Sequence, residues 1–320
     1  MNLHTRTQPV IEYQGSRSPK TKSREDASDA ARLALSIVMP AFNEEDGVGA
    51  QIKAIRKVME DHGIEHEIVV VDDGSEDDTA DKAYEAGARV LQHPCNRGYG
   101  ASLKTGIRAA LYETVAIIDA DGTYPAEALP AMLDKARTYD MVVGARTGEH
   151  VAVPLARRPA KWFLRTLASY VAKYRIPDLN SGLRVMKKSV VDRFDFILPS
   201  GFSFTTTITL SLLCNDYLVH YHPIDYHQRV GRSKIRPIDA YHFLLLILRT
   251  IVFFNPLRVF LPLGTVLFVT GLAKLIYDIF LDNLSETAVL GLLGGFIIWT
   301  IGLLSDQIAR IGFGMRSRDS

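Results

Sequence analysis

Cysteine is scarce: the 320 residues contain two, Cys95 and Cys214, far apart and without metal-ligand spacing. That argues against a disulfide framework or a zinc site, and the two read as ordinary small residues in a reducing compartment. A surplus of charge is lacking as well. The 37 Lys and Arg against 36 Asp and Glu leave a formal net charge of +1, so no nucleic-acid partner is expected and any basic patch must be local. Large apolar side chains are sparse as far as Ala31, with no apolar core of signal-peptide length. Residues 1–33 are therefore expected to be a disordered cytoplasmic tail.

From Leu35 the character changes. The apolar run from Leu35 to Met39 stops at Pro40, and Val48, Ile52, Ile55 and Val58 then recur at helical spacing. The alternation continues with apolar strands at Ile68–Val71, near Arg89–Leu91, at Val115–Ile118 and at Met141–Val143. Helices are expected from Ala101 to Tyr112 and from near Pro125, where a first helical turn tolerates proline. Short buried strands alternating with helices predict an α/β domain on a mostly parallel sheet, placed at residues 34–236.

The last eighty residues differ in kind. Val259–Leu281 and Ala288–Leu304 are apolar stretches near the ~17–25 residues needed to cross hydrocarbon, so residues 257–309 read as a transmembrane hairpin. The connecting loop from Asp282 to Thr287 has no Lys or Arg, whereas Arg249, Arg258, Arg310, Arg316 and Arg318 flank the spans. The positive-inside rule then puts the α/β domain and both termini, including the tail at 310–320, on the cytoplasmic face of the cytoplasmic membrane. Residues 237–256, apolar from Tyr241 to Phe254 but interrupted by His242 and Arg249, read as an interfacial helix, with a buried helix of the preceding domain as the alternative. Lys274 and Asp278, four apart, are expected to pair on one helix face. Gly291, Gly294 and Gly295 would permit close helix packing, leaving a homo-oligomer through the spans open.

In open parallel sheets ligands bind at the carboxyl edge of the strands, and three acidic loops fall there: Pro40–Glu45, Asp72–Ser75 and Asp119–Pro125. One such loop is an ordinary helix cap. Three together call for cations or hydrogen-bond donors, and a hard divalent metal holding a diphosphate supplies a cation. With these loops the chain resembles family 2 glycosyltransferases of the GT-A fold, in the dolichol-phosphate mannose synthase and polyprenyl-phosphate glycosyltransferase branch. The resemblance runs from about Leu35 to Lys234, and the hairpin extends it to bacterial members.

The resemblance implies a GT-A, Rossmann-like catalytic domain that takes one sugar from a nucleotide diphosphate donor to a polyprenyl phosphate lipid, with Mg2+ or Mn2+. By it, Pro40, Ala41, Asn43 and Glu44 line the nucleotide pocket, and Asp72 or Asp73 holds the base or ribose. Asp119-Ala120-Asp121 is similar to the DxD motif, with Asp121 the main metal ligand and Asp119 on the donor. The segment Asn96–Gly106 is similar to the family's glycine-rich loop. It reads either as a helix-capping turn or as a donor contact that includes Lys104, and it is no Walker loop or dinucleotide fingerprint. Gly144–Arg146, Asp178–Arg184 and Arg229–Lys234 resemble later motifs. They imply phosphate contacts from Arg146, Ser181, Arg184, Arg229, Arg232 and Lys234, with Arg157 and Arg158 as a further basic pair. Arg146, Arg229 and Lys234 join Asp119 and Asp121 as the expected catalytic set.

Two departures matter. Mannose synthases commonly carry a glutamine ligand two positions after the DxD, where this chain has Thr123. It also lacks the QxxRW motif of processive synthases, which favours a single transfer. A phosphate acceptor is largely dianionic at neutral pH and needs no deprotonation, so no essential general base is expected. His220, His222, His227 and His242 scatter over strand and helix and read as structural. The alternatives are the same fold acting on another lipid or glycan hydroxyl, and a non-catalytic scaffold that binds nucleotide sugars. Between donors, UDP-sugars are slightly favoured over GDP-mannose.

Overall fold

The computed structural model describes residues 34–147, 168–170, 172–201, 203–226, 255–281 and 285–316, with isolated positions 166, 245, 252 and 253. The expected tail at 1–33 and nearly all of the expected interfacial helix lie outside the described residues. Backbone proximity divides the chain into two units, Met1–Pro237 and Ile238–Ser320.

The first unit is built on a seven-stranded sheet: β1 (Ala34–Ala41), β2 (Glu65–Asp72), β3 (Arg89–Gln92), β4 (Thr114–Ile117), β5 (Met141–Arg146), β6 (Arg184–Lys187) and β7 (Val219–Ile224). Their spatial order is β3-β2-β1-β4-β6-β5-β7. β1 is parallel to β2 and β4, β2 to β3, and β5 to β7. β6 alone runs antiparallel, wedged between β4 and β5. Central β1 is buried along all but its first residue, which is why it reads as one apolar run rather than an alternating strand. β7 carries Pro223 and lies at the sheet's edge, where a missing N–H is tolerated.

Helices cover the sheet. In α1 (Val48–Asp61) the stripe Val48, Ile52, Ile55 and Met59 is fully buried against Leu35, Ile37 and Met39. Burial of one such side chain contributes about 1.5–3 kcal/mol. The stripe therefore holds a helix that, at 14 residues, would be marginal alone. The sheet is further dressed by α2 (Thr79–Glu85), α3 (Tyr99–Ala109), α4 (Leu129–Lys135), α5 (Lys188–Phe194) and α6 (Phe204–Cys214). Two expected boundaries move. α3 stops at Ala109 because Ala110 turns extended, and the helix expected near Pro125 opens with a 3-10 turn, Ala126–Ala128, before α4.

The second unit holds α7 (Leu257–Phe280) and α8 (Glu286–Arg316), both long and apolar enough to cross a membrane. They cover the expected spans to within one residue, and α8 runs past the expected boundary at 309. At about 1.5 Å per residue α7 is about 36 Å long, enough for a ~30 Å hydrocarbon layer. Leu263, Val266, Ile276, Phe296 and Leu304 are exposed on its and α8's outer faces. Glycines bring the two backbones together. A Cβ on Gly271 would lie 2.7 Å from Leu292 N and 2.8 Å from Gly291 C, and one on Gly295 2.8 Å from Phe268 N. Gly294 faces the Leu267 side chain. All three glycines singled out for oligomerisation are thus taken up inside the hairpin. At the turn Asp278 is 2% exposed. It accepts hydrogen bonds from Lys274 Nζ and Ser285 Oγ, and from Ser285 N at 3.1 Å, so the pair works as a cap on the hairpin's return.

Candidate active site

The chain builds β1, β2 and β3 outward in one direction, then returns to place β4 on the other side of β1. That reversal is a topological switch point, where the loops leaving neighbouring strands part and leave a crevice. The loops after β1, β2 and β4 meet there. Asn43, in the left-handed region at φ +52°, donates its N–H to Ser75 Oγ at 2.9 Å and accepts Glu76 N at 2.9 Å. Glu44 N reaches Thr79 Oγ1 at 2.9 Å. These bonds clip the first loop to the second. The first loop also abuts the third: a Cβ on Gly47 would sit 3.0 Å from Ala120 O, and Gln51 Nε2 donates to Tyr124 O at 3.2 Å. Pro40, Ala41, Asn43, Glu44, Asp72, Asp119, Ala120 and Asp121 therefore gather at one edge.

The two carboxylates of the Asp119-Ala120-Asp121 turn are held differently. Asp121 Oδ1 accepts Thr123 Oγ1 at 2.6 Å and Thr123 N at 3.2 Å. Thr123 is fully buried, and its hydroxyl and N–H orient Asp121 from behind. Asp119 Oδ1 accepts the phenol of Tyr99 at 2.9 Å. On its other side Asp119 lies against Gly182, where a Cβ would be 2.6 Å from Oδ2. Loss of hydration, and then the charge of Asp119, push the Tyr99 phenol well above its ordinary pKa, so it stays a donor to the carboxylate. Tyr124 is buried, and its oxygen accepts Gly182 N at 2.7 Å, which ties the third loop to the Asp178–Gly182 turn.

Among the described residues no group of three or more His, Cys, Asp or Glu is arranged to hold a metal ion. A dedicated protein cage is therefore absent among them. Two carboxylates on one short turn do suit a hard cation that takes its remaining oxygens from a diphosphate and water, as Mg2+ does in nucleotide sites.

Arg146, at the end of β5, forms a two-pronged ion pair with Asp178, Nε to Oδ2 at 2.7 Å and Nη2 to Oδ1 at 2.9 Å. Its guanidinium also stands 5.3 Å from the centre of the Tyr226 ring, which meets Tyr124 edge-on. Burial works against the charge, but the Asp178 bonds outweigh it and hold Arg146 firmly protonated.

Several expected ligands have other employment. Arg184 is fully buried, donating to Ser181 O at 2.9 Å, Leu179 O at 3.0 Å and Thr209 Oγ1 at 2.6 Å. It braces the Asp178–Gly182 turn against α6 and is not placed to grip an acceptor phosphate. Ser181 is also fully buried, its hydroxyl 3.4 Å from Leu183 N. Lys104 Nζ donates to Asp195 O at 2.9 Å and stands 3.6 Å from Asp195 Oδ1, at the end of α5. Asp73 accepts Arg97 N at 2.9 Å, Gly98 N at 2.8 Å and His93 Nδ1 at 2.7 Å, so it anchors the glycine-rich loop. Asp72, next to it, takes Ser75 Oγ and Gln92 Nε2. The glycines of that loop answer to packing. Gly98 has φ +99°, and a Cβ on Gly100 would lie 2.2 Å from Pro199 O. Arg157, Arg158, Arg229, Arg232 and Lys234 lie outside the described residues. Tyr99, Tyr124 and Tyr226 were not singled out from the sequence. The only hint was that Tyr99 sits inside the glycine-rich segment and Tyr124 two residues past Gly122.

Comparison with known proteins adds independent findings. Residues 36–194 match the family model for glycosyl transferase family 2, and residues 255–311 match the model of the GtrB C-terminal hairpin. The chain is 31% identical over 206 residues to the dolichyl-phosphate hexose transferase of Haloferax volcanii, covering 63% of this chain and 87% of that protein. Over 308 residues it is 28% identical to the SfII prophage-derived bactoprenol glucosyl transferase of Shigella flexneri, covering 89% and 96%. It is 26% identical over 212 residues to the undecaprenyl-phosphate mannosyltransferase of Micrococcus luteus, covering 62% and 86%. Among solved structures it resembles glucosyl-3-phosphoglycerate synthase from Mycobacterium tuberculosis in complex with Mn2+, UDP-glucose and phosphoglyceric acid. That match has a TM-score of 0.56 at 22% identity and covers 74% of this chain and 86% of that one. At such identity the likeness speaks for the fold.

Proposed function

Given that this chain belongs to glycosyl transferase family 2, we propose that it transfers a single sugar from a nucleotide diphosphate donor to a polyprenyl phosphate, with inversion at the anomeric carbon. The observation that carries this reading is the meeting of the Asp119-Ala120-Asp121 turn with the loops after β1 and β2 at the sheet's switch point. Its support in choice of acceptor comes from relatives whose names specify dolichyl-phosphate, undecaprenyl-phosphate and bactoprenol.

Mg2+ or Mn2+, held by Asp121 with Asp119 beside it, would neutralise charge on the departing nucleotide diphosphate. The chain's own residues do the rest. Asn43, Glu44 and Asp72 shape the nucleotide side, with Thr123 aiming Asp121 from behind. Arg146, pinned by Asp178, supplies a fixed positive charge near the Gly182 turn, and Arg157, Arg158, Arg229, Arg232 and Lys234 are assigned to the acceptor phosphate by resemblance. Because that phosphate is already anionic, no side chain is required as general base. In this reading the hairpin anchors the enzyme with its catalytic domain and both termini on the cytoplasmic side, and a UDP-sugar is the favoured donor.

The test is transfer of radiolabelled sugar from a panel of UDP- and GDP-sugars to undecaprenyl phosphate in detergent, with Mn2+ or Mg2+ and with EDTA. The expected result is labelled lipid that EDTA abolishes and that Asp121→Asn reduces by a hundredfold or more, on the order of 3 kcal/mol or more at the transition state. No labelled lipid from any donor, with nucleotide still bound, would sink the acceptor assignment.

A further inference from the structure

Tyr99 belongs to the glycine-rich loop, yet its phenol points at the acidic turn. We propose that Tyr99 is a positioning residue that sets the orientation of Asp119, and that the glycine-rich loop serves the site by aiming this phenol, not by touching the donor.

Each link is visible. Asp73 grips the backbone N–H groups of Arg97 and Gly98, at 2.9 and 2.8 Å. His93 holds Asp73 from one ring nitrogen at 2.7 Å and Thr105 of α3 from the other at 2.9 Å. The start of α3 is docked on the loop before α6, with Ala101 N donating to Ser200 O at 3.0 Å. The close approaches at Gly98 and Gly100 allow that docking, since a Cβ would lie 2.6 Å from Ser200 O and 2.2 Å from Pro199 O respectively. Tyr99 is thus fixed from both sides, and its hydroxyl meets Asp119 Oδ1 at 2.9 Å. Gly182 closes the far side of the same carboxylate. A carboxylate held by a phenol donor on one side and backed by a glycine on the other has less rotamer freedom to lose when it engages a charged ligand. The loop's glycines then have a reason that is independent of phosphate binding.

The inference rests on the proposed donor site, and the test separates the two. Binding of UDP with Mn2+ to the full-length chain in detergent is followed by calorimetry for wild type, Tyr99→Phe, Asp119→Ala and the double variant, with a thermal melt of each. We expect Tyr99→Phe to weaken metal-supported UDP binding about tenfold, in the range for a lost hydrogen bond to a charged group, while its melt stays near wild type. In the Asp119→Ala background, which removes the acceptor, the same change should cost less than twofold, because the two act through one carboxylate. If Tyr99→Phe binds UDP and Mn2+ as wild type does, or weakens binding equally in both backgrounds, Tyr99 does not act through Asp119 and the proposal is overturned. Should Tyr99→Phe fail to fold, Thr105→Val, which removes the Thr105–His93 bond behind the loop while keeping the phenol, takes its place in the same cycle with the same two outcomes. Failure of wild type itself to bind UDP with Mn2+ would instead overturn the donor site on which the inference depends.

Discussion

Arg184 and Arg146 show how little an arginine's place in a motif says about its partner. Both lie in segments similar to family motifs, and both were expected at a phosphate. Arg146 is held flat against Asp178 with part of its side chain still exposed, whereas Arg184 spends its donors on two carbonyls and a threonine inside the fold. A buried guanidinium that loses an acceptor costs more than the bond was worth, because the N–H cannot return to water. Thr209→Val, which removes the 2.6 Å acceptor of Nη1, is therefore expected to destabilise the first unit by about 1–3 kcal/mol. In the transfer assay KM for the lipid should not move. A urea titration paired with steady-state kinetics checks both parts, and a raised lipid KM at unchanged stability would return Arg184 to the acceptor site.

Among the elements, the hairpin makes the sharper prediction. Gly271→Ala would drive a methyl into the backbone of α8, 2.7 Å from Leu292 N, so the helices must part. Gly294→Ala meets only Leu267 Cδ2 at 2.9 Å, the far end of a side chain that can turn away. The first is expected to cost about 1–3 kcal/mol and the second under about 1 kcal/mol, read as melting shifts in detergent. Equal shifts would mean that the seam is looser than described. The elements also differ in how legible they were. β1, β2 and β4 announced themselves because strands buried on both faces must be apolar throughout, and α1 because its stripe recurs at helical spacing. β6 did not, since a four-residue strand that begins with Arg184 and ends with Lys187 has no pattern to read. α6 hid for the opposite reason. It is buried nearly all round, and Thr207, Thr209 and Ser211 satisfy themselves on carbonyls one turn back, so no polar face marks it. The acidic loops were legible from their place after apolar strands. The three tyrosines were not, because what they touch is brought together only by the fold.

At the scale of the whole molecule, the proposed topology has a direct check. With Cys95 and Cys214 replaced, Thr287→Cys in the hairpin's turn should react with a membrane-impermeant maleimide in intact cells, whereas Arg318→Cys should react only after permeabilisation. The reverse pattern would turn the catalytic domain to the outer face and remove it from a cytoplasmic donor. The antiparallel strand β6 has another consequence, in time rather than in space. β4 and β5 are not neighbours in the sheet, and β6 joins them. About 70 residues separate the end of β4 from β6, which at ~5–20 residues per second leaves the β4 edge unpaired for several seconds of synthesis. During that interval β5 has left the ribosome but lacks the strand that connects it to the sheet. The first four strands can settle as they appear, while the remaining three must assemble together around the latecomer, and the open edge between them is where a nascent chain is most exposed to wrong pairing.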